Sequence, residues 1–235
     1  MSFLLTLLLL APPCVQAAST QGWWSRQGRS LVVFDSSGTL SAEIGLGKWE
    51  EATATRLDVR EITGGVSPDK RLAWTLERNT SWNTARTTAL EKRRLLRVYG
   101  DAGRELWEEP FADAPQEGDP IIFSQDAALC LVALRGELGW TASVRSWASV
   151  PVWDTGPYPN LRSIALTPNG RYVMLSWRET DTSATHTFLE ISSKKRKDIP
   201  SGTLHLGQAT ISAEGKVTSG KKTVFDFSAA AAKTP

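Results

Sequence analysis

The chain has 235 residues, of which 41% are hydrophobic and 22% charged, a composition typical of folded globular domains and not of disordered or membrane-embedded chains. Lys plus Arg total 27 against 25 Asp plus Glu, so the net charge of +2 gives no argument for a nucleic-acid partner or an anionic membrane. Two His and two Cys leave little material for a metal site or a disulfide, whereas ten Trp is an unusually high number.

Residues 1–17 predict a cleaved export signal. An apolar run covers residues 3–10 apart from Thr6, and Pro12 and Pro13 end it. This run is too short to span a bilayer, which needs about 20 residues. Val15-Gln16-Ala17 places suitable residues before a cut after Ala17 or Ala18. We therefore expect a periplasmic or secreted protein without a transmembrane segment.

Cys14 raises two alternatives for this segment, a lipoprotein signal or a buried N-terminal helix. Proline directly before the cysteine disfavours lipidation, and Pro12-Pro13 disfavours a long helix. If the signal is removed, Cys130 becomes the only cysteine. It lies in the apolar run of residues 127–134, which predicts a buried strand and an unreactive thiol.

The chain after the signal predicts an all-β fold. Short runs of Val, Ile, Leu, Trp and Thr are separated by turn sequences such as Asp-Ser-Ser-Gly and Thr-Pro-Asn-Gly. Residues 83–99 are the best helix candidate, although they contain three Thr and end in strand formers. Residues 228–235 predict a frayed, disordered tail.

One turn pattern recurs four times. An apolar residue is followed by a hydroxyl residue, a spacer, an Asp, Asn or Glu, a short turn and a new apolar strand. The hydroxyl residues are Ser67, Ser124, Thr167 and Ser212, and their spacing is about that of a four-stranded repeat unit. We expect the hydroxyl and the carboxyl or amide to bond the backbone of each turn. Residues 31–44 and 95–107 predict the outer two strands of such a unit.

The turns Ser67-Pro68-Asp69-Lys70 and Thr167-Pro168-Asn169-Gly170 resemble those of WD-like propeller repeats, as in TolB-type and prolyl oligopeptidase-type propellers. The resemblance covers roughly residues 60–227, and the WD dipeptide occurs once, at Trp153-Asp154. It implies a small β-propeller domain over residues 18–227. About four blades are expected, with full blades near 64–110, 119–156 and 162–202. Five blades or an incomplete arc stay open. Closure would pair the half-blade 31–44 with strands around 210–227.

No catalytic, metal or cofactor motif accompanies these repeats. Gly-x-Ser-x-Gly, GxGxxG, phosphate-loop and HExxH patterns do not occur in the sequence. His186 and His205 fall on different predicted strands, and the acidic residues between 101 and 119 do not match a calcium loop. We therefore expect a non-catalytic binding or scaffold protein of the cell envelope. Two alternatives stay open: a small glycosidase-like hydrolase with carboxylates in a channel, and a degenerate propeller completed by oligomerisation.

Two groups of residues are candidates for binding a partner protein or glycan. Trp side chains near turn residues favour binding surfaces, although sealing the seams between blades is the alternative role. Four basic residues fall at a predicted hairpin tip, where they suit either solvent or an anionic partner. The candidates are Trp82, Trp140, Trp147, Trp153, Lys194, Lys195, Arg196 and Lys197.

Overall fold

The structure is a computed structural model and describes residues 22–115, 118–178, 184–200 and 209–231. Within these ranges the chain is almost entirely β-strand and forms five antiparallel sheets of three to five strands, which we number I to V in chain order. The predicted all-β class is therefore confirmed.

The first eight strands build sheets I and II. Sheet I contains β1 (Trp23–Gln27), β2 (Ser30–Phe34) and β3 (Leu40–Gly45), in the order β1-β2-β3. Sheet II contains β4 (Gly47–Ala52), β5 (Arg56–Val66), β6 (Ala73–Asn83), β7 (Ala89–Tyr99) and β8 (Glu105–Pro110), in the order β4-β5-β6-β7-β8.

The remaining strands build sheets III, IV and V. Sheet III contains β9 (Ile121–Phe123), β10 (Leu129–Gly136), β11 (Gly139–Ser146) and β12 (Pro151–Tyr158). Sheet IV contains β13 (Asn160–Leu166), β14 (Tyr172–Arg178), β15 (Ala184–Glu190) and β16 (Lys195–Pro200). Sheet V contains β17 (Ala209–Ile211), β18 (Lys216–Ser219) and β19 (Lys222–Asp226), and a short helix α1 (Phe227–Ala231) follows it.

The units predicted near 119–156 and 162–202 coincide with sheets III and IV to within a few residues, whereas sheet II begins well before the predicted 64–110, with strand β4 and most of β5. The helix candidate at residues 83–99 is wrong. Its first part is a turn in which the Asn83 side-chain oxygen accepts hydrogen bonds from the amides of Thr87 and Thr88. The rest is β7, where Leu96 and Val98 are fully buried on strand periodicity.

The hydrophobic core lies between consecutive sheets, which pack face to face. Each of four buried clusters draws its side chains from two neighbours in chain order: sheets I and II, II and III, III and IV, and IV and V. Strand β10 contributes side chains to two of these clusters. Cys130 and Val132 point toward sheet II, whereas Leu131 and Ala133 point toward sheet IV. A strand that is buried on both faces has a continuous apolar sequence, as residues 127–134 do.

Cys130 is fully buried and unpaired, as predicted. Burial raises the pKa of its thiol to about 12. The reactive thiolate is therefore strongly disfavoured at neutral pH.

Closure between the ends of the chain is not confirmed. Sheets I and V are separate in the described residues, and none of the four buried clusters joins them. The predicted pairing of residues 31–44 with the strands around 210–227 is not among the strand pairs there. Of the predicted tail, the described part up to Ala231 is helical.

Candidate functional site

The four predicted turns share one geometry. In each, the residue three positions after the hydroxyl donates its amide to the carbonyl oxygen of the hydroxyl residue, at 2.8–3.0 Å. That same residue adopts a positive φ in every copy, between 51° and 86°. The four residues are Lys70, Ala127, Gly170 and Gly215. The backbone geometry of the turn is therefore the same in all four copies, including those whose sequence lacks Pro or Gly.

Side chains hold these turns as the sequence predicted. The Ser67 hydroxyl donates to the Asp69 carboxylate at 2.6 Å, and the Ser124 hydroxyl donates to Asp126 at 2.7 Å. Burial raises the pKa of Asp69, but hydrogen bonds from Arg71 and Ser67 outweigh it, so the net pKa lies below the usual value. The hydrogen bond from Ser124 likewise lowers the pKa of Asp126. Both carboxylates are therefore charged at neutral pH.

Direct hydrogen bonds link strand β1 to the turn of sheet II, the turn of sheet III to that of sheet IV, and the turn of sheet IV to that of sheet V. The amide of Trp24 donates to the carbonyl oxygen of Lys70, and the amide of Gln125 donates to that of Pro168, both at 2.7 Å. The Asn169 side chain donates to the carbonyl of Ala213 at the same distance. These turns form one continuous surface, which we call the turn face. It also includes the turns that join β7 to β8 and β11 to β12, since these lie at the same strand ends.

A cleft of about 480 Å³ opens on the turn face between sheets II and III. Its lining is aliphatic toward the protein and charged toward solvent. Leu72 is buried and Leu106 half-buried, and Ala127 and Ala128 lie opposite them on the turn of sheet III. We call this the turn-face cleft.

Charges of both signs ring the turn-face cleft. Arg71 bonds the Asp69 carboxylate at 2.8 Å, and this bond raises the pKa of Arg71, with smaller contributions from Asp101 and Asp126. Arg104 is exposed on the same rim. The arrangement fixes a guanidinium among carboxylates, which suits a ligand that carries both charged and apolar groups.

Trp147 stands at the edge of this cleft with half of its surface exposed. The indole N–H of Trp107 donates a hydrogen bond to the Trp147 carbonyl oxygen at 3.2 Å and so fixes the Trp147 backbone. The guanidinium of Arg145 in turn lies over the Trp107 ring, 5.8 Å from its centroid. Val150 in the same turn is 60% exposed. The side chain of Trp147 is therefore an exposed aromatic surface on an ordered support.

The other Trp candidates occupy different positions. Trp140 is only 5% exposed and belongs to the core between sheets III and IV. Trp153 is half-buried against the same core, and Trp82 is half-buried on β6 between Leu57 and Ala89. Only Trp147 of the four joins the turn-face cleft. Trp49, which was not a candidate, is 45% exposed on β4.

The basic run does not lie wholly at a hairpin tip. Lys194 occupies the turn with a φ of 55°, while the next three residues belong to β16, the outer strand of sheet IV. Arg196 bonds Asp198 at 3.0 Å, and the Lys197 ammonium lies 5.8 Å from the Phe225 ring centroid in sheet V. Charged side chains on an outer strand also discourage pairing with other chains.

His186 is buried on β15, where its Nδ1 forms a 2.9 Å hydrogen bond with the Ser176 hydroxyl. His205 lies outside the described residues. Within the described ranges, no group of three or more His, Cys, Asp or Glu side chains is placed to hold a metal ion. In the same ranges no helix has the length and apolar character needed to cross a membrane.

Comparisons with known proteins give structural likenesses only. Neither models of protein families nor curated proteins match the sequence. Similar solved structures include TolB from Acinetobacter baumannii, with 11% identity over 84% of this chain and a TM-score of 0.36. The Swd1 β-propeller domain of Myceliophteria thermophila gives 10% identity over 68% of this chain and a TM-score of 0.28. This chain spans 53% of the TolB chain and 60% of the Swd1 domain.

Proposed function

We propose that this chain is a non-catalytic binding or scaffold module of the cell envelope whose sheets are the blades of a propeller-like arc. The blade assignment is supported by the face-to-face packing of consecutive sheets and by four turns of one geometry. Export is proposed from residues 1–17 alone, which lie outside the described residues.

The single observation that carries the binding role is Trp147 beside the turn-face cleft. An exposed indole next to an aliphatic recess is costly in water unless something covers it, and Trp is enriched among residues that dominate binding energy. The support from Trp107 means that little order has to be gained on binding. A partner would bury the Trp147 ring and place an apolar side chain between Leu72 and Leu106.

The chemistry of the cleft favours a segment of a partner protein over a glycan. The recess between Leu72, Leu106 and Ala127 is aliphatic, so sugar hydroxyls placed there would lose hydrogen bonds to water without replacement. A peptide can supply an apolar side chain for the recess and charged neighbours for Arg71 and the rim carboxylates. The proposed ligand is therefore an exposed peptide segment with one large apolar residue between charged ones.

Capture from envelope extracts tests this role. Wild-type protein, Trp147→Ala and Trp49→Ala would be used as bait, because Trp49 is similarly exposed but lies on β4, away from the cleft. We expect wild type and Trp49→Ala to retain the same protein and Trp147→Ala to lose it. With the purified partner, Trp147→Ala should weaken affinity about tenfold or more, equivalent to about 1.4 kcal/mol.

Two results would contradict the proposal. Equal capture by Trp147→Ala and wild type would remove the cleft from the binding surface. Loss of capture after enzymatic removal of glycans from the extract would show that the ligand is a sugar and not a peptide. Matching melting temperatures for the three proteins would ensure that the comparison reports on the surface.

A further inference from the structure

Among the described residues, sheet I has no counterpart of the inner strand found in the other sheets. In sheets II to V a strand precedes the hydroxyl-containing turn, namely β5, β9, β13 or β17. The first described strand of sheet I is β1, whose Trp24 amide bonds the Lys70 carbonyl in the turn of sheet II. This contact places the start of β1 at the turn face, where the second strand of each other unit begins. The position of an inner strand beside β1 is therefore unfilled among the described residues.

The inner edge of β1 has backbone groups available for pairing. On its other side β1 pairs along its whole length with β2. The Trp24 amide points away from β2. Backbone groups two residues apart in a strand point to the same side, so the amide and carbonyl of Arg26 also point away from β2. In the described ranges β1 pairs with no strand besides β2. Because the Trp24 amide is already bonded to Lys70, an extended segment laid along this edge would find the carbonyl oxygen of Trp24 and the amide and carbonyl of Arg26.

A cleft of about 620 Å³ is lined by Arg26 at this edge, by residues of sheet II and by residues 114–115 and 118–120, which precede sheet III. We call it the edge cleft. Its apolar lining includes Leu46, Ile62 and Trp74. A strand added at this edge would border the cleft, which offers an apolar surface to the side chains on one of its faces.

The mouth of the edge cleft is mainly basic. Arg26 and Arg29 are exposed and have no ion pair with a described residue, whereas Lys48 bonds Glu50 at 2.7 Å and Arg78 bonds Glu61 at 3.5 Å. Asp119 is the carboxylate on this lining, and Arg26 acts on it electrostatically. Four cations against one carboxylate among the described lining residues, beside a strand edge that no described strand pairs with, favour a negatively charged strand.

We propose that the inner edge of β1 binds an extended acidic segment of a partner protein by β-strand addition. The backbone of the segment pairs with the amide and carbonyl of Arg26 and with the carbonyl oxygen of Trp24. Its acidic side chains contact Arg26 and Arg29, and the alternate side chains face Leu46 and Ile62. This site is independent of the turn-face cleft.

A direct test measures the binding of a fluorescein-labelled peptide, Glu-Val-Glu-Val-Glu-Val-Glu, to the purified chain by fluorescence anisotropy. We expect saturable binding that weakens about tenfold in the double variant Arg26→Glu, Arg29→Glu. The matched control is Lys221→Glu, Lys222→Glu, two exposed cations of sheet V, which should change affinity less than about twofold. Trp147→Ala should bind as wild type does, so this result separates the two sites.

The backbone contribution is tested with the same peptide carrying N-methyl groups at alternate residues, which keeps every side chain but removes amide donors. One of the two methylation registers should lose binding about tenfold or more. The proposal is overturned if both methylated peptides bind as the parent does, or if charge reversal at Arg26 and Arg29 leaves affinity unchanged. It is equally overturned if the parent peptide does not bind, the result expected if the chain itself fills this edge.

Discussion

The side-chain amide of Asn169 donates a hydrogen bond to the carbonyl oxygen of Ala213, 2.7 Å away in the turn of the next sheet. Its side-chain oxygen meanwhile accepts from the Thr167 hydroxyl and the Arg171 amide within its own turn. Asp occupies the same place in the turns of sheets II and III, where its carboxylate accepts but cannot donate. The amide at this position therefore connects sheets IV and V.

We predict that Asn169→Asp lowers the free energy of unfolding by about 1–2 kcal/mol. The new carboxylate keeps the turn but faces the Ala213 carbonyl without a donor. Asp126→Asn is the matched control, since the amide oxygen can still accept from Ser124 and the change should be below about 0.5 kcal/mol. Urea denaturation of the two variants measures the difference. Equal effects would show that the contact with sheet V contributes nothing.

Gly215 should tolerate substitution much less than Gly220. Both have positive φ, so alanine at either site costs about 1–2 kcal/mol in backbone strain. A β-carbon at Gly215 would also lie 2.5 Å from the Tyr172 ring, whereas one at Gly220 meets nothing within 4 Å. We expect Gly215→Ala to be less stable than Gly220→Ala by at least about 1 kcal/mol in urea denaturation. Equal stabilities would contradict the close packing of sheet V on Tyr172.

His186 should make the fold less stable in mild acid. Burial lowers the pKa of His186 below its ordinary value of 6.5, and Nε2 has no hydrogen-bond partner. The unfolded chain takes up a proton near pH 6.5 and the folded chain only at lower pH. Stability is therefore full above pH 6.5 and is lost as pH falls from there toward the folded pKa.

Urea midpoints at pH 7.5 and 5.5 test the role of His186. Between these two pH values we expect the urea midpoint to fall more for wild type than for His186→Phe. His205→Gln is the control for the other histidine. A loss of the same size in wild type and His186→Phe would assign the acid sensitivity to other groups.

Cys130 should react with thiol reagents only after unfolding. Its thiol is fully buried and its raised pKa leaves almost no thiolate at neutral pH. We expect slow labelling in buffer and rapid labelling in denaturant. Cys130→Ser should lower the free energy of unfolding by about 1–3 kcal/mol, because it places a hydroxyl in an apolar core. Rapid labelling of the native protein would refute the burial.

Local chemistry made the turns predictable from sequence. The hydroxyl residue and the Asp or Asn two positions later bond each other and the turn backbone, so the signal is complete within a few residues. The burial of Cys130 followed in the same way from an uninterrupted apolar run. These features placed sheets III and IV nearly correctly.

Features that depend on contacts between distant segments were missed. Strand β4 is largely polar and exposed, so its sequence carries no periodic apolar signal. Trp24 follows Gly22 and Trp23 outside any long apolar run, yet it is fully buried and its indole donates to the Gly100 carbonyl. The turn-face cleft combines Leu72, Leu106 and Trp147, which lie on three separate segments, and only Trp147 was a candidate.

Hydrogen exchange with mass spectrometry can show directly whether a partner binds at the turn face. Exchange would be compared for the free protein and for its complex with the captured partner. We expect slower exchange in the turns at residues 67–72, 100–104, 124–128 and 146–150. Exchange should be unchanged in the hairpins at residues 83–88 and 136–139, at the opposite strand ends. Protection of those two hairpins with none at the turns would contradict binding at the turn face.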